Sequence, residues 1–209
     1  MIKVQDVSFA YPGSPARLQF PDFSCGQGSQ LLITGESGSG KTTLLGILGG
    51  LIRQTSGTVE VAATDLLKLN NSQLDQFRGK HIGFVLQEHH FIESVSVLDN
   101  LKITARIAGN QTQPAELLEL LDKLGIHSKA AESPSRLSVG ERQRLGIARA
   151  MVNKPAVLLA DEPTSSLDSK NFQVVTDLLQ REAEAGNTTL VIVTHDERMK
   201  ALIQQQVNL

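Results

Sequence analysis

The glycine-rich segment at residues 35–42 constrains the fold of this chain more than any other feature. It reads Gly35-Glu36-Ser37-Gly38-Ser39-Gly40-Lys41-Thr42 and fills every fixed position of the phosphate-loop pattern. The apolar residues 30–34 predict a strand before it, and residues 42–48 predict a helix after it. A loop between a strand and a helix N-terminus can turn its N–H groups inward around a phosphate. The segment therefore predicts a strand–loop–helix unit that binds phosphate.

Short apolar runs elsewhere in the chain predict the other strands. Residues 82–86, 156–160 and 189–193 are apolar almost throughout, which is typical of strands buried on both faces of a parallel sheet. Residues 2–9 alternate between apolar and polar side chains, and residues 57–61 form a further short strand.

Helical patterns lie between these strands. They are predicted at residues 72–77, 97–108, 114–124 and 169–184, and in the segment that follows residue 138. Ser72 is expected to cap the first of these helices, with Asp75 three residues later, and Ser138 to cap the helix that follows it. Because strands and helices alternate, the predicted fold class is α/β, with a mostly parallel sheet that helices cover on both faces.

The region from residue 88 to residue 149 interrupts this alternation and is richer in helix. A chain of 209 residues suits one large α/β domain. We therefore expect a single domain over residues 1–209, with its core in residues 1–87 and 150–209 and a helical subdomain inserted at residues 88–149.

Charge and composition narrow the range of functions. The net charge of −2 argues against a nucleic-acid partner, and the basic residues Arg142, Arg144 and Arg149 are expected to form a solvated or ion-paired helix face. The lone Cys25 has no second cysteine with which to form a disulfide. The most apolar stretch, residues 44–52, is far shorter than the roughly 20 residues that a membrane-spanning helix needs. We expect a soluble, cytoplasmic protein that would need a separate subunit to act at a membrane.

Two carboxylates follow the predicted strand at residues 156–160. Asp161 and Glu162 would lie at the carboxyl end of that strand, where open α/β sheets bind their ligands. Beside a phosphate loop, Asp161 and the Thr42 hydroxyl are expected to hold Mg²⁺, and Lys41 to reach the β- and γ-phosphates. Glu162 would polarise the attacking water. On its own, the acidic pair is equally explained as a turn at the end of a buried strand.

Other polar residues follow predicted strands in the same way. Gln87 follows residues 82–86, and His195 follows residues 190–194. A glutamine amide can bind Mg²⁺ and water, and a neutral histidine can hydrogen-bond a phosphate. Tyr11 stands beside a turn predicted at residues 11–15, and its ring would be suited to stacking on a base. Each of these residues taken singly is also explained as a cap, turn or surface residue.

Together these motifs resemble the ATPase subunits of ABC transporters over the whole chain. The matching motifs, in chain order, are Tyr11 at the adenine-stacking position, Gly35 to Thr42 as the Walker A loop, Gln87 as the Q-loop, Leu137 to Gln143 as the signature sequence, Asp161-Glu162 as the end of Walker B, Ser165 to Asp168 as the D-loop and His195 as the switch histidine. Residues 82–87, 96–101 and 140–144 are similar to the branch that includes the lipoprotein-releasing, macrolide-exporter and cell-division ATPases. The resemblance implies a phosphate-loop NTPase fold, with a small antiparallel β subdomain beside the parallel core sheet and an inserted helical subdomain.

The resemblance also implies ligands and partners. Two copies of the chain, or this chain and a related ABC ATPase, would enclose two ATP molecules head to tail, with each signature sequence on the partner's nucleotide. The residues that would bind ATP are Tyr11, Gly35, Glu36, Ser37, Gly38, Ser39, Gly40, Lys41, Thr42, Thr43, Ser138, Gly140 and Glu141. Those that would hold Mg²⁺ are Thr42, Gln87 and Asp161, and those that would be catalytic are Glu162, His195 and Gln87. An integral-membrane permease would be the further partner, at the cytoplasmic face of the inner membrane.

One residue of the signature sequence departs from the family pattern. Val139 stands where glycine is usual, and a β-branched residue tolerates a positive φ poorly. Its N–H group can therefore serve a phosphate only if the local φ is negative. Two other functions stay open: a regulatory ABC ATPase that controls a membrane partner without transport, and a soluble ABC protein that acts on ribosomes or DNA. The latter usually has two cassettes or a long coiled-coil insertion, and 209 residues accommodate neither.

Overall fold

A parallel β-sheet forms the centre of the molecule in the computed structural model, which describes residues 1–13, 15–165 and 167–209. The described strands are β1 (Ile2–Ala10), β2 (Arg17–Gln19), β3 (Phe23–Cys25), β4 (Gln30–Thr34), β5 (Ser56–Val61), β6 (Thr64–Asp65), β7 (Ile82–Val85), β8 (Val157–Asp161), β9 (Thr189–Val193) and β10 (Gln206–Asn208). The described helices are α1 (Lys41–Leu48), α2 (Asn71–His81), α3 (Val97–Ile107), α4 (Pro114–Lys123), α5 (Val139–Met151), α6 (Ser169–Ala185) and α7 (Glu197–Lys200).

The central sheet has the strand order β10-β4-β9-β8-β7, and each neighbouring pair is parallel. Because parallel strands point the same way, the segments that follow β4, β7, β8 and β9 all leave the sheet at one edge. These segments contain the phosphate loop, Gln87, the acidic pair and His195. The predicted parallel sheet is confirmed, and its topology brings the sequence motifs to one place.

Alternate residues of the central strands serve two separate hydrophobic cores. In β4, Leu31 and Ile33 pack in the core shared with α1 and the second sheet, whereas Leu32 packs in the core that contains α3, α4, α5 and α6. All three side chains are fully buried. Burial on both faces explains why the three central residues of this strand are all apolar, as predicted for a covered parallel sheet.

The second sheet is antiparallel where its strand pairs are described, with the order β2-β1-β5-β6 and β3 also paired to β1. Its long strand β1 is irregular between Gln5 and Ser8, where Asp6 has a φ of 52°. Gly57 lies against this irregularity, and a Cβ at that glycine would be 2.4 Å from the Asp6 carbonyl oxygen. This sheet is the small antiparallel β region that the resemblance implied.

Helices α3, α4 and α5 cover most of the region in which a helical subdomain is predicted. Their inward residues, which include Leu101, Leu117, Leu121 and Leu145, share one core with the faces of β8 and β9. Pro114 begins α4, as expected for a proline in a first helical turn. The division into a core and an inserted subdomain stays a prediction.

Several details differ from the sequence-based expectations. Asn70, and not Ser72, caps α2: its Oδ1 accepts a hydrogen bond from the Gln73 backbone N–H, and Gln73 Oε1 accepts one from the N–H of Asn70, each at 3.0 Å. Glutamine thus takes the place in the capping box that was expected for Asp75. Strands β2, β3, β6 and β10 were not predicted, because two or three residues are too few to show a periodic pattern.

Candidate active site

The phosphate loop joins β4 to α1, as the sequence predicted. Gly38 and Gly40 have φ values of 86° and 97°, in the left-handed region that residues with a Cβ rarely adopt. A Cβ at Gly40 would also lie 2.9 Å from a methyl carbon of Leu18. Glycine at these positions therefore allows the backbone to curl over the start of α1.

Two polar side chains of this loop, Lys41 and Ser39, can donate hydrogen bonds to an anion. Lys41 Nζ donates hydrogen bonds to the carbonyl oxygens of Gly35 and Glu36, at 2.9 and 2.8 Å. The Ser39 hydroxyl is buried and has no hydrogen-bond partner among the described residues. A buried hydroxyl without a partner is costly, so the loop is suited to an anionic ligand that would accept its proton.

A cleft of about 520 Å³ lies over this loop. Its described lining consists of Tyr11, Ala16, Leu18, Ser37, Gly38, Gly40, Lys41, Thr42, Thr43, Gln87, Asp161, Glu162 and His195. The fold thus brings the predicted residues from five separate motifs into one cleft, of a size common for small-molecule sites. The predicted D-loop, residues 165–168, falls partly on residue 166, which lies outside the described residues.

Tyr11 lies at the open side of this cleft and is anchored to α1. Its Oη is 2.6 Å from Thr43 Oγ1, and its ring meets the Phe9 ring edge-on at a centroid distance of 4.8 Å. The ring is still half-exposed, with a relative accessibility of 49%. It therefore offers a partly open aromatic face whose orientation is held from two sides.

Thr42 and Asp161 meet at the floor of the cleft. Burial raises the pKa of the Asp161 carboxyl, and the neighbouring Glu162 adds to this effect. The hydrogen bond from Thr42 and the charge of Lys41 oppose the rise in pKa without cancelling it. A partly desolvated carboxylate beside a hydroxyl and a second acid is an oxygen-rich place that favours a cation.

The side chain of Glu162 is fixed by the end of β9. Its Oε1 accepts hydrogen bonds from the N–H of His195 at 3.1 Å and from His195 Nδ1 at 2.7 Å, and its Oε2 accepts one from the Thr194 hydroxyl at 2.7 Å. Because a carboxylate only accepts hydrogen bonds, the proton lies on His195 Nδ1. Glu162 itself has a φ of 47°, uncommon for a residue other than glycine and frequent at functional sites.

One hydroxyl residue in this arrangement was missed by sequence reasoning. Thr194 is fully buried between Glu162 and the N–H of Asp196, which donates to its Oγ1 at 3.0 Å. Its position at the end of β9, directly before His195, was a usable signal. Thr43, whose Oγ1 contacts Tyr11 Oη, is among the residues that the family resemblance implied for ATP binding.

The signature residues begin helix α5. The Ser138 hydroxyl accepts a hydrogen bond from the Glu141 N–H, and both its hydroxyl and its N–H donate to Glu141 Oε2 at 2.8 Å. Ser138 is the helix cap that the sequence predicted. Val139 is the first helical residue, it is not among the described residues with positive φ, and its side chain is 62% exposed. Valine is therefore compatible with this backbone.

Of the residues that the structure describes, the lining of the cleft includes none of Ser138, Gly140 and Glu141. The three were predicted to contact a nucleotide bound to another subunit, so their place outside this cleft agrees with that prediction without testing it. One chain thus carries a phosphate-loop cleft and, separately, a helix N-terminus with an exposed first turn.

Comparison with known proteins decides the family. The ABC transporter family matches residues 18–165. The chain belongs to this family. It is 38% identical to the lipoprotein-releasing system ATP-binding protein LolD of Bacteroides fragilis, over 100% of this chain and 97% of that protein. It is also 44% identical to LolD of Shewanella denitrificans, over 88% and 79% of the two chains.

Solved structures of ABC cassettes share the fold. A dimeric structure of the cassette MJ0796 in a post-hydrolysis state, bound to ADP and phosphate, superposes with a TM-score of 0.89. It is 30% identical, and the match covers 100% of this chain and 94% of that one. The α/β fold of an ABC ATPase is thereby confirmed, and the chain is the ATP-binding, ATP-hydrolysing subunit of an ABC-type membrane system. No described helix is both long and apolar enough to cross a membrane.

Proposed function

We propose that this cleft binds ATP with Mg²⁺, and that Glu162 activates the water that cleaves the bond between the β- and γ-phosphates. The observation that carries the proposal is the meeting of three features at one edge of the sheet: the phosphate loop, the Thr42–Asp161 contact and the hydrogen-bonded pair of Glu162 and His195. The three features come from the ends of β4, β8 and β9, and all three line the same cleft. Such a constellation fits phosphoryl transfer, in which positioning and charge stabilisation supply most of the catalysis.

The donor set fits Mg²⁺. Thr42, Gln87 and Asp161 would offer a hydroxyl, an amide oxygen and a carboxylate, and Mg²⁺ prefers oxygen ligands of this kind. Held by these residues, Mg²⁺ would supply positive charge that offsets the negative charge of the phosphates. The partial burial of Asp161 beside a second acid, Glu162, supports this assignment.

The chain's own residues would bind the phosphates and the adenine ring and would orient the attacking water. Lys41 would exchange its two carbonyl contacts for the β- and γ-phosphates, and Ser39 would donate its hydroxyl to a phosphate oxygen. Tyr11 would stack on the adenine ring. Glu162 would accept a hydrogen bond from the attacking water, while His195 would hold the Glu162 carboxylate in place through its Nδ1–H group.

A complete site would require a second subunit. Ser138 and the first N–H groups of α5 form a helix N-terminus suited to an anion, yet they lie outside the lining of their own cleft. We propose that two copies assemble head to tail with ATP between them, as the dimeric organisation of the similar MJ0796 cassette supports. A heterodimer with a related ABC ATPase is the alternative assembly.

A membrane subunit would dock on an apolar hollow of about 310 Å³ between β7, α3 and α5. Ile107 and Leu51 on its rim are 83% and 58% exposed, unusual for large apolar side chains. Leu86, which also lines the hollow, directly precedes Gln87 in the nucleotide cleft. We propose that a cytoplasmic helix of a permease with an apolar face occupies this hollow, which would hold the ATPase at the cytoplasmic face of the inner membrane.

The cargo that we propose is a lipoprotein, because the similar curated proteins are named for lipoprotein release. The test is to isolate the chain with its membrane partner, reconstitute the complex in vesicles and measure ATP turnover with an acylated protein and with its unacylated form. We expect copurification that Ile107→Asp abolishes, and stimulation by the acylated form alone. Copurification without movement of any cargo would favour a regulatory ATPase, and unchanged binding of Ile107→Asp would contradict the docking surface.

A further inference from the structure

The segment that follows Gln87 is joined to helix α5 by the side chain of His89. Its Nε2 is 2.7 Å from Oε1 of Gln143, which is itself buried. The imidazole stacks on Phe91, with centroids 5.3 Å apart and an angle of 21° between the rings. A Cβ on Gly146 would lie 2.5 Å from His89 Cε1, so the ring fills a recess that only glycine leaves open.

This hydrogen bond is the one that each of the two side chains makes among the described residues. Because Gln143 Oε1 can only accept, His89 donates through Nε2. His89 Nδ1 and Gln143 Nε2 are buried and have no other partner in the described part of the chain. Loss of the contact would leave two further buried polar atoms unsatisfied, which is more costly than the loss of an exposed hydrogen bond.

Two arginines of α5 hold the same segment farther along the chain. Arg149 Nη1 donates to the carbonyl oxygen of His90 at 2.7 Å, and its guanidinium lies 4.8 Å from the centroid of the Phe91 ring. Arg142 Nη2 donates to Glu93 Oε1 at 3.1 Å. In the basic cluster, which was expected to be a solvated or ion-paired face, Arg142 is thus ion-paired and Arg149 is packed against this segment.

The His89–Gln143 contact lies between two parts of the proposed head-to-tail dimer (the ATP sandwich): the nucleotide cleft of its own subunit and the helix end that would serve the partner's ATP. Gln87, two residues before His89, lines the nucleotide cleft of its own subunit. Gln143 lies five residues after Ser138, about 7.5 Å along the helix axis, and Ser138 caps the helix that would meet the partner's γ-phosphate. His89 therefore links the cleft of one nucleotide to the helix that serves the other.

We infer that His89 and Gln143 are positioning residues that couple ATP in one site to the placement of Ser138 for the second site. The inference rests on the proposed ATP-sandwich dimer. When ATP draws Gln87 toward its site, the His89–Gln143 bond would carry that shift into α5 as a rigid element. Without the bond, ATP would still bind the phosphate loop, but the signature end of α5 would be poorly placed for the partner.

The test uses the full chain with Glu162→Gln, so that ATP is bound and not consumed. ATP affinity of the monomer is measured with a fluorescent nucleotide, and dimer formation against ATP concentration is measured by light scattering. We expect His89→Ala and Gln143→Ala each to raise the ATP concentration for half-maximal dimerisation about five- to tenfold. The double variant should need no higher an ATP concentration for half-maximal dimerisation than either single variant. The ATP affinity of the monomer should stay within about twofold of that of the parent chain.

Two variants separate positioning from general damage. Gln143→Glu keeps an acceptor for His89 and should restore most of the dimerisation that Gln143→Ala loses. His90→Ala is the matched control, because the neighbouring histidine is exposed and Arg149 binds only its carbonyl group. If Gln143→Ala does not fold, the comparison of His89→Ala with His90→Ala decides.

The inference is overturned if the His89→Ala and Gln143→Ala effects add, if both variants dimerise like the parent, or if monomer ATP affinity falls in parallel. A parent Glu162→Gln chain that binds ATP and never dimerises would instead overturn the proposed sandwich, and this inference with it. The two failures are therefore distinguished by the behaviour of the parent chain alone.

Discussion

The Thr194 hydroxyl group donates a hydrogen bond to Glu162, with 2.7 Å between Thr194 Oγ1 and Glu162 Oε2. Thr194 Oγ1 also accepts a hydrogen bond from the N–H of Asp196. One buried hydroxyl group therefore connects the Glu162 carboxylate to the turn that contains His195. The proposed base is therefore oriented by two residues that directly follow β9, and its geometry depends on a residue that would not touch the nucleotide.

Thr194→Val should lower kcat about tenfold and leave the KM for ATP nearly unchanged. Valine has the shape of threonine but leaves Glu162 with one hydrogen bond fewer, and a bond to a charged group contributes roughly 1.5–3 kcal/mol. Steady-state ATPase measurements test this. Thr194→Ser keeps the hydroxyl and should retain most of the turnover, and a KM effect with unchanged kcat would contradict the positioning role.

Tyr11→Phe should raise the KM for ATP by about two- to fivefold, and Tyr11→Ala should raise it further. Phenylalanine keeps the ring but loses the 2.6 Å contact with Thr43 Oγ1 that orients it. Thr43→Val should reproduce the effect of Tyr11→Phe, whereas Thr43→Ser should not. Equal ATP affinity in Tyr11→Ala and the parent chain would show that this ring does not stack on the base.

Glu141 should make the stability of α5 depend on pH. The hydrogen bonds from Ser138 lower the pKa of the Glu141 carboxyl below its ordinary range. A carboxyl with a lowered pKa in the folded state contributes stability that is fully present above its unfolded pKa and is lost as the pH falls through the folded one. Glu141→Gln should therefore lower the unfolding temperature at pH 7 by about 1–4 °C, and this difference should shrink toward pH 3. Calorimetry measures the unfolding temperatures of the parent chain and of Glu141→Gln at each pH. A difference between the two temperatures that grows on acidification would contradict the prediction.

Val139→Gly should strengthen ATP-dependent dimerisation and raise turnover by about two- to fivefold. The 62%-exposed valine side chain projects from the first turn of α5, where it would narrow the approach of the partner's phosphate. Val139→Ala removes the same bulk without the added backbone freedom of glycine and should act in the same direction. Turnover that is unchanged in both variants would make the valine a neutral replacement.

Much of this arrangement could be predicted from the sequence, because each motif directly follows a strand. The apolar runs before Gln87, Asp161 and His195 identify β7, β8 and β9, and parallel strands bring their carboxyl ends together. The phosphate loop adds the end of β4. Strand position was therefore sufficient to bring the phosphate loop, Gln87, the acidic pair and His195 together, whereas Tyr11 was placed by the family resemblance and Ala16 and Leu18 were not predicted.

What the sequence did not indicate are contacts that depend on side-chain packing between distant elements. His89 was assigned no role, and its hydrogen bond to Gln143 across 54 positions has no local signal. The hydrogen bonds of Lys41 to its own loop and of Thr43 to Tyr11 likewise depend on tertiary structure. The cap of α2 was placed two residues late because serine and asparagine are both good caps, and the local pattern does not choose between them.

The central claim is that Glu162 activates water for ATP hydrolysis at an interface between two subunits. The most direct experiment compares the parent chain with Glu162→Gln in two measurements: the rate of ATP turnover, and the molar mass of the protein in solution with ATP, which distinguishes monomer from dimer. Glutamine keeps the size of the side chain but cannot take up a proton, so we predict retained ATP binding, turnover reduced by at least about 100-fold and a stable ATP-bound dimer. An unchanged hydrolysis rate in Glu162→Gln would contradict the account.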